Sequence, residues 1–169
     1  MGSEQLRSMS EGEESSYMID EIKVNEFQQE NSLNTISDKT KIMTEFRIVG
    51  DFFSPEDITK ELEIIPTMVK HRGEPVRKTG RKCLYSEWQY NTGYEEIMDI
   101  RIHLETIYQM FNPKVKKLCE LKKKYHLDFV LGIVPVIENG AVPDIVFPPE
   151  FLRFVSEIGM SFDIDLYVN

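Results

Sequence analysis

The most regular pattern in the chain is its last stretch. Met160-Ser161-Phe162-Asp163-Ile164-Asp165-Leu166-Tyr167-Val168 alternates apolar and polar positions without a break. Successive side chains of an extended strand point to opposite faces. The spacing therefore predicts a strand with Met160, Phe162, Ile164, Leu166 and Val168 on a core, and Ser161, Asp163, Asp165 and Tyr167 on the other face. Thr44-Glu45-Phe46-Arg47-Ile48-Val49-Gly50 alternates in the same way and stops at glycine, a second strand. Cys83 to Thr92 alternates loosely around Tyr85, Trp88 and Tyr90, and Leu127 to Val136 is rich in β-branched residues; both read as strands. After the turn signal Asn139-Gly140, Asp144 to Phe147 reads as a short returning strand.

Helical spacing falls between these segments. Ser54-Pro55-Glu56-Asp57 is an N-terminal signal: Ser suits the cap, Pro the first turn, and the acids the positive end of the helix dipole. Asp57 completes a capping-box-like pattern, and Ile58 and Leu62 set the buried side of a helix running to about Glu63. Ile97, Ile100, Leu104, Ile107 and Phe111 follow steps of three and four, and Asn112-Pro113 is expected to break that helix. Another helix carries Val115, Leu118, Cys119 and Leu121 on one side and lysines around the rest. A last helix opens at Pro148-Pro149-Glu150 and ends at Gly159 as its C′ residue.

Strands with one apolar and one polar face, mixed with amphipathic helices, predict an α+β fold. The expected sheet is mixed or mainly antiparallel, with helices packed on one face. A weak internal echo of strand, polar connection, Pro-Glu-opened helix and return is consistent with a duplicated βαβ-type unit. Met68 to Lys82 is polar and punctuated by Gly73, Pro75 and Gly80, and reads as a long loop.

Composition changes the picture at the N-terminus. Residues 1–40 hold nine acids against three bases, so most of the net charge of −9 sits there. Their only aromatics are Tyr17 and Phe27, too few to offset ordering entropy, so residues 1–40 read as a disordered acidic tail before a single domain over residues 41–169. The start of the chain lacks the basic and apolar regions of a signal peptide, and no apolar run approaches the ~20 residues of a membrane helix, so the expected location is the cytoplasm. Cys83 and Cys119 read as free thiols of a reducing compartment. An acidic chain repels nucleic acid at long range, and the lysines of residues 114–124 read as a solvated face; neither nucleic acid nor membrane is an expected partner.

Phe46-Arg47-Ile48-Val49-Gly50, Ile58-Thr59 with Leu62, Ile64 and Pro66-Thr67, then Gly73-Glu74, Ser86 with Trp88, and the closing Phe162-Asp163-Ile164-Asp165-Leu166-Tyr167 resemble the bacterial family catalogued as domain of unknown function 4279. The resemblance covers about Phe46 to Val168. It implies one compact α+β domain of bacterial origin, and brings no catalytic residue or cofactor with it.

Three places carry candidate chemistry. Asp163 and Asp165, two apart on a strand, point their carboxylates the same way about 7 Å apart, a spacing that suits a hard cation or an acid and base pair. The plainer reading is a solvated sheet face in which they pair with Arg47; Tyr167 lies on the same face. The basic segment Lys70 to Lys82, with Arg72, Arg77, Lys78 and Arg81, suits capture of carboxylates or phosphates by guanidinium groups presented at glycine turns. His71 adjoins it and is the histidine considered for acid–base work, with chance placement the plainer reading. His103, between Ile102 and Leu104, is expected at the surface or a boundary. No catalytic motif of fixed spacing occurs, and no metal or cofactor is expected. The expectation is a small cytoplasmic module that binds another protein, for instance an immunity-type protein that neutralises a toxin. The alternative is an enzyme or a ligand or metal sensor on the polar face around Asp163 and Asp165.

Overall fold

The computed structural model of the protein describes residues 39–76 and 80–169. Residues 1–38, most of the segment read as a tail, lie outside the described residues, as do Arg77 and Lys78 of the basic segment. The strands are β1 (Lys41–Gly50), β2 (Met68–Lys70), β3 (Ser86–Asn91), β4 (Asp128–Ile137), β5 (Met160–Ile164) and β6 (Tyr167–Val168). The helices are α1 (Pro55–Leu62), α2 (Arg101–Phe111), α3 (Val115–Tyr125) and α4 (Pro149–Ile158). Among the described residues no helix is long and apolar enough to cross a membrane.

The sheet runs β2-β3-β1-β4-β5, with β6 also on β4. The pairs β2–β3, β3–β1 and β1–β4 are antiparallel; β4 with β5 and with β6 is parallel. The fold is α+β with a mixed sheet. Parallel neighbours need a crossover, and α4 supplies it between β4 and β5. The first half closes differently. β1 meets β3 antiparallel, so α1 spans no parallel pair and the internal echo does not become a second unit of the same topology.

Alternation decides which face is dry. Ile42, Thr44, Phe46 and Ile48 of β1 are buried, and the registers set Trp88 opposite Ile48 and Leu131 opposite Phe46. These side chains join Ile58, Leu62, Leu104, Ile107, Phe111, Leu118, Phe151 and Phe154 of the helices in one core. Phe111 meets the rings of both Phe46 (4.3 Å) and Trp88 (6.2 Å, edge-on). The opposite face carries Glu45, Arg47, Glu87, Gln89 and Asp163.

Several local signals act as the spacing predicts. Glu63 and Gly159 take left-handed backbone at the ends of α1 and α4. Others do not. Ser54 turns its hydroxyl to the Glu56 carboxylate, so the capping box with Asp57 does not form. Asn112-Pro113 opens a 3-10 turn that leads straight into α3, because proline is tolerated where no N–H is needed. The returning strand at Asp144 to Phe147 reduces to one bridge, Asp99 to Asp144. Pro143 and Pro148 flank this segment and remove the donors that a ladder needs.

The largest departure concerns the C-terminal strand. Met160 is buried, yet Phe162, Ile164, Leu166 and Val168 are 40%, 50%, 54% and 66% exposed. The alternation placed them on the correct face. The strand, however, forms the rim of the sheet, where the helical layer does not cover them.

Candidate functional site

The long loop expected over Met68 to Lys82 instead opens with strand β2, and its described remainder extends the β2–β3 hairpin. Gly73 N–H donates to Cys83 O and Cys83 N–H to Glu74 O, both at 2.8 Å, and Val76 N–H donates to Arg81 O at 2.7 Å. Pro75 bridges Lys82. Gly73 and Gly80 adopt φ of 86° and 63°, backbone that favours glycine, and this lets the chain turn back on itself. The result is a self-bonded arm whose described part is residues 71–76 and 80–85. On it Leu84 is 78% exposed, and Val76, Tyr85, Arg81 and Lys82 are also exposed.

Arg72, exposed, stands at the root of the arm. Its backbone N–H donates to Ser86 Oγ, its Nη1 donates to Asp51 O at 3.5 Å, and its guanidinium lies 4.6 Å from the Phe52 ring centre. Phe52 sits in the turn after β1, so this stacking ties the arm to the end of the central strand. His71 Nε2 lies 3.1 Å from Glu56 Oε1 at the start of α1, a placement that fixes the same root.

On the polar face Arg47 reaches Asp163 at 2.5 Å, the pairing expected across the sheet, and its Nε lies 3.6 Å from Glu45 Oε2. Gly132 makes room for this. A Cβ there would stand 3.3 Å from Glu45 Oε2 and 3.5 Å from Arg47 Nε. Burial pushes the Glu45 carboxyl above its usual range; Arg47 opposes the shift and Glu87 adds to it. Lys70 pairs with the buried Glu87 at 2.8 Å. Asp165 accepts the Tyr167 hydroxyl at 2.7 Å, and this bond holds the phenol above its ordinary value. Asp163 and Asp165 are thus engaged by separate partners, Arg47 and Tyr167. Among the described residues no three His, Cys, Asp or Glu side chains gather in a way that could hold a metal ion.

One polar cluster escaped the sequence reading. His103, expected at the surface or a boundary, is buried under β1. Its Nδ1 lies 3.3 Å from Thr44 Oγ1 and 3.1 Å from Thr92 Oγ1, and its Nε2 faces Glu95 Oε2 at 3.4 Å. The hydroxyls can donate to Nδ1 whereas the carboxylate only accepts, so the proton belongs on Nε2. Burial holds the imidazole below its ordinary pKa, against the pull of Glu95, and it sits in the core as the neutral form. The signal was present in the spacing. His103 lies three residues after Ile100 and four before Ile107, on the apolar side of α2. No nucleophile of this cluster is open to solvent on the core side, since Thr44 is fully buried, so the cluster reads as structural.

The arm, the polar face and the rim strand all fall within residues 39–169. No curated protein and no solved structure matches the chain. A family model does match, and it spans those same residues 39–169, so the chain belongs to the family described as domain of unknown function, DUF4279.

Proposed function

We propose that the protein is a cytoplasmic protein-binding module that docks the described part of the arm, residues 71–76 and 80–85, on an acidic partner surface with an apolar pocket. The observation that carries this reading is Leu84. It stands 78% exposed on an arm held by its own backbone bonds, beside the exposed Tyr85 and Lys82. These side chains add little to the core. A buried leucine contributes about 1.5–3 kcal/mol relative to an exposed one, and here that energy is gained only when something covers it. An apolar anchor with a cationic border is the anatomy of an interface hot spot.

Charge supports the same reading. The described arm carries Arg72, Arg81 and Lys82 against Glu74, on a chain whose net charge is −9. A locally positive arm on an acidic protein attracts an acidic surface to that one place and repels it elsewhere. The free thiols of Cys83 and Cys119 fit a reducing compartment. Neutralisation of a toxin by direct contact is one task of this kind.

The test places a photo-cross-linking residue at position 84, or at the exposed position 109 on α2, and irradiates growing cells. The reading expects a discrete adduct from position 84 and none from 109. Arg81→Glu with Lys82→Glu should cut its yield about tenfold, as like charge across an interface does. Equal adducts from both positions, or a yield indifferent to charge reversal in a chain that still melts normally, would refute it.

A further inference from the structure

The sheet has a second unfinished feature, on the edge away from the arm. β5 and β6 keep one register against β4: Phe129 pairs Met160, Ile133 pairs Ile164 and Val136 pairs Tyr167. The residue offset is the same throughout, so Met160 to Val168 is one rim strand, its regular pairing interrupted only between Ile164 and Tyr167. Asp165 N–H donates to Ile133 O at 2.9 Å, and Asn169 N–H donates to Ile137 O at 3.0 Å. In a parallel ladder alternate residues face the neighbour with their backbone. Asp163, Asp165 and Tyr167 therefore face β4, and Phe162, Ile164, Leu166 and Val168 turn their N–H and C=O groups outward. Among the described residues the sheet order ends here, with no strand on that side.

We propose that this rim takes an added strand from a basic partner, an extended segment in which apolar residues alternate with Lys or Arg. The outward backbone groups supply the ladder. Phe162, Ile164 and Leu166, exposed on the core-side face, supply apolar neighbours for every second residue of the incoming strand. On the polar face the carboxylates of Glu45, Asp163 and Asp165 outnumber the cations of Arg47 and Lys41, which leaves an excess of negative charge beside the other residues of that strand. A second copy of this chain fits poorly. Symmetric pairing centred on Ile164, the register that uses the whole rim, sets Asp163 opposite the copy's Asp165 twice, and like charges opposite one another weaken a strand pair. The proposal is independent of the arm, which lies at the other edge of the sheet.

The experiment titrates the isotope-labelled full chain with three synthetic peptides and follows backbone amide resonances. The peptides are (Val-Lys)4, (Val-Glu)4, and (Val-Lys)4 with every amide N-methylated. The proposal expects (Val-Lys)4 to shift residues 160–168 and to bind about tenfold tighter than (Val-Glu)4. It expects no binding by the N-methylated peptide, which keeps the charge and the apolar surface but cannot donate to a ladder. Ile164→Pro removes an outward N–H and no bond to β4, so it should abolish the shifts at an unchanged melting temperature. If that variant fails to fold, the N-methylated peptide still decides. Equal binding of the two charge patterns, binding of the N-methylated peptide, no binding at all, or a dimer in sedimentation that Ile164→Pro dissociates would each overturn the proposal. Leu84→Ser should leave these shifts intact, which separates this surface from the arm.

Discussion

His103→Leu is the perturbation whose consequences follow most directly from the structure. The histidine is the shared partner of two hydroxyls, Thr44 Oγ1 at 3.3 Å and Thr92 Oγ1 at 3.1 Å. Thr92 keeps Gly93 O at 3.1 Å and still accepts Thr44 N–H, but the fully buried Thr44 hydroxyl loses its partner. A buried polar group left without a bond costs about 1–3 kcal/mol, which leucine, of similar volume, offsets only in part. For a domain of this size the expected fall in melting temperature is roughly 3–8 °C. Thr44→Val in the same chain removes the orphan, so the double variant should recover about 1–2 kcal/mol relative to the sum of the singles. The pH dependence gives an independent check. Burial lowers the native pKa of His103 below the ordinary imidazole value of 6.5, so the unfolded chain takes up this proton first. Stability is then fully present above about pH 6.5 and falls as pH drops toward the native pKa, by at most about 1.4 kcal/mol per pH unit. Glu45 acts in the opposite sense and in a lower range. Its raised native pKa means that acidification toward the carboxylate range relieves its burial cost. The informative quantity is therefore the difference between wild type and His103→Leu, from melts at pH 7.5, 6.5 and about 5.5. A variant that loses stability on acidification as steeply as wild type, or strict additivity with Thr44→Val, would refute the reasoning.

Two further predictions test the core and a helix end. Trp88→Phe removes the Nε1 bond to Thr59 Oγ1 (3.0 Å) and opens space beside Phe111. Urea unfolding should show a loss of about 1.5–3 kcal/mol with an unchanged slope; a loss below about 0.5 would mean that the indole is not packed as described. Gly159→Ala forces a Cβ into left-handed backbone (φ 61°) and 3.2 Å from Lys122 Nζ, which donates to Gly159 O and Ile158 O. The expected cost is about 1–2 kcal/mol by thermal melt, with Gly159→Asn milder because asparagine tolerates that conformation; the reverse order would contradict the assignment.

Much of the fold is legible in the sequence because its signals are local. Period-two alternation set the dry side of β1 and the apolar, though largely exposed, side of the C-terminal strand. The step of three and four set the buried side of α2, and Gly159 marked the end of α4. The Arg47–Asp163 pair was legible too, since both residues alternate onto the same face of the sheet. Where the reading failed, it failed on what lies across space. His103 satisfied the apolar spacing of α2, but a buried imidazole is stable only if hydroxyls meet it, and Thr44 and Thr92 arrive from elements distant in sequence. The polar segment after β2 gave no alternation to read, yet two glycines at positive φ let its backbone bond to itself as an arm.

The sequence by itself determined most of the elements, the class of fold and the side to which each long strand turns its apolar residues. Periodicity and turn chemistry are written in neighbouring residues. Only the tertiary structure decided the order of strands and the reach of the helical layer. Among the described residues those two facts make Met160 to Val168 a rim with one edge unpaired, and leave Phe162, Ile164, Leu166 and Val168 exposed although their alternation is that of a core strand. Burial depends on what covers a residue from elsewhere in the chain, and no local pattern carries that information.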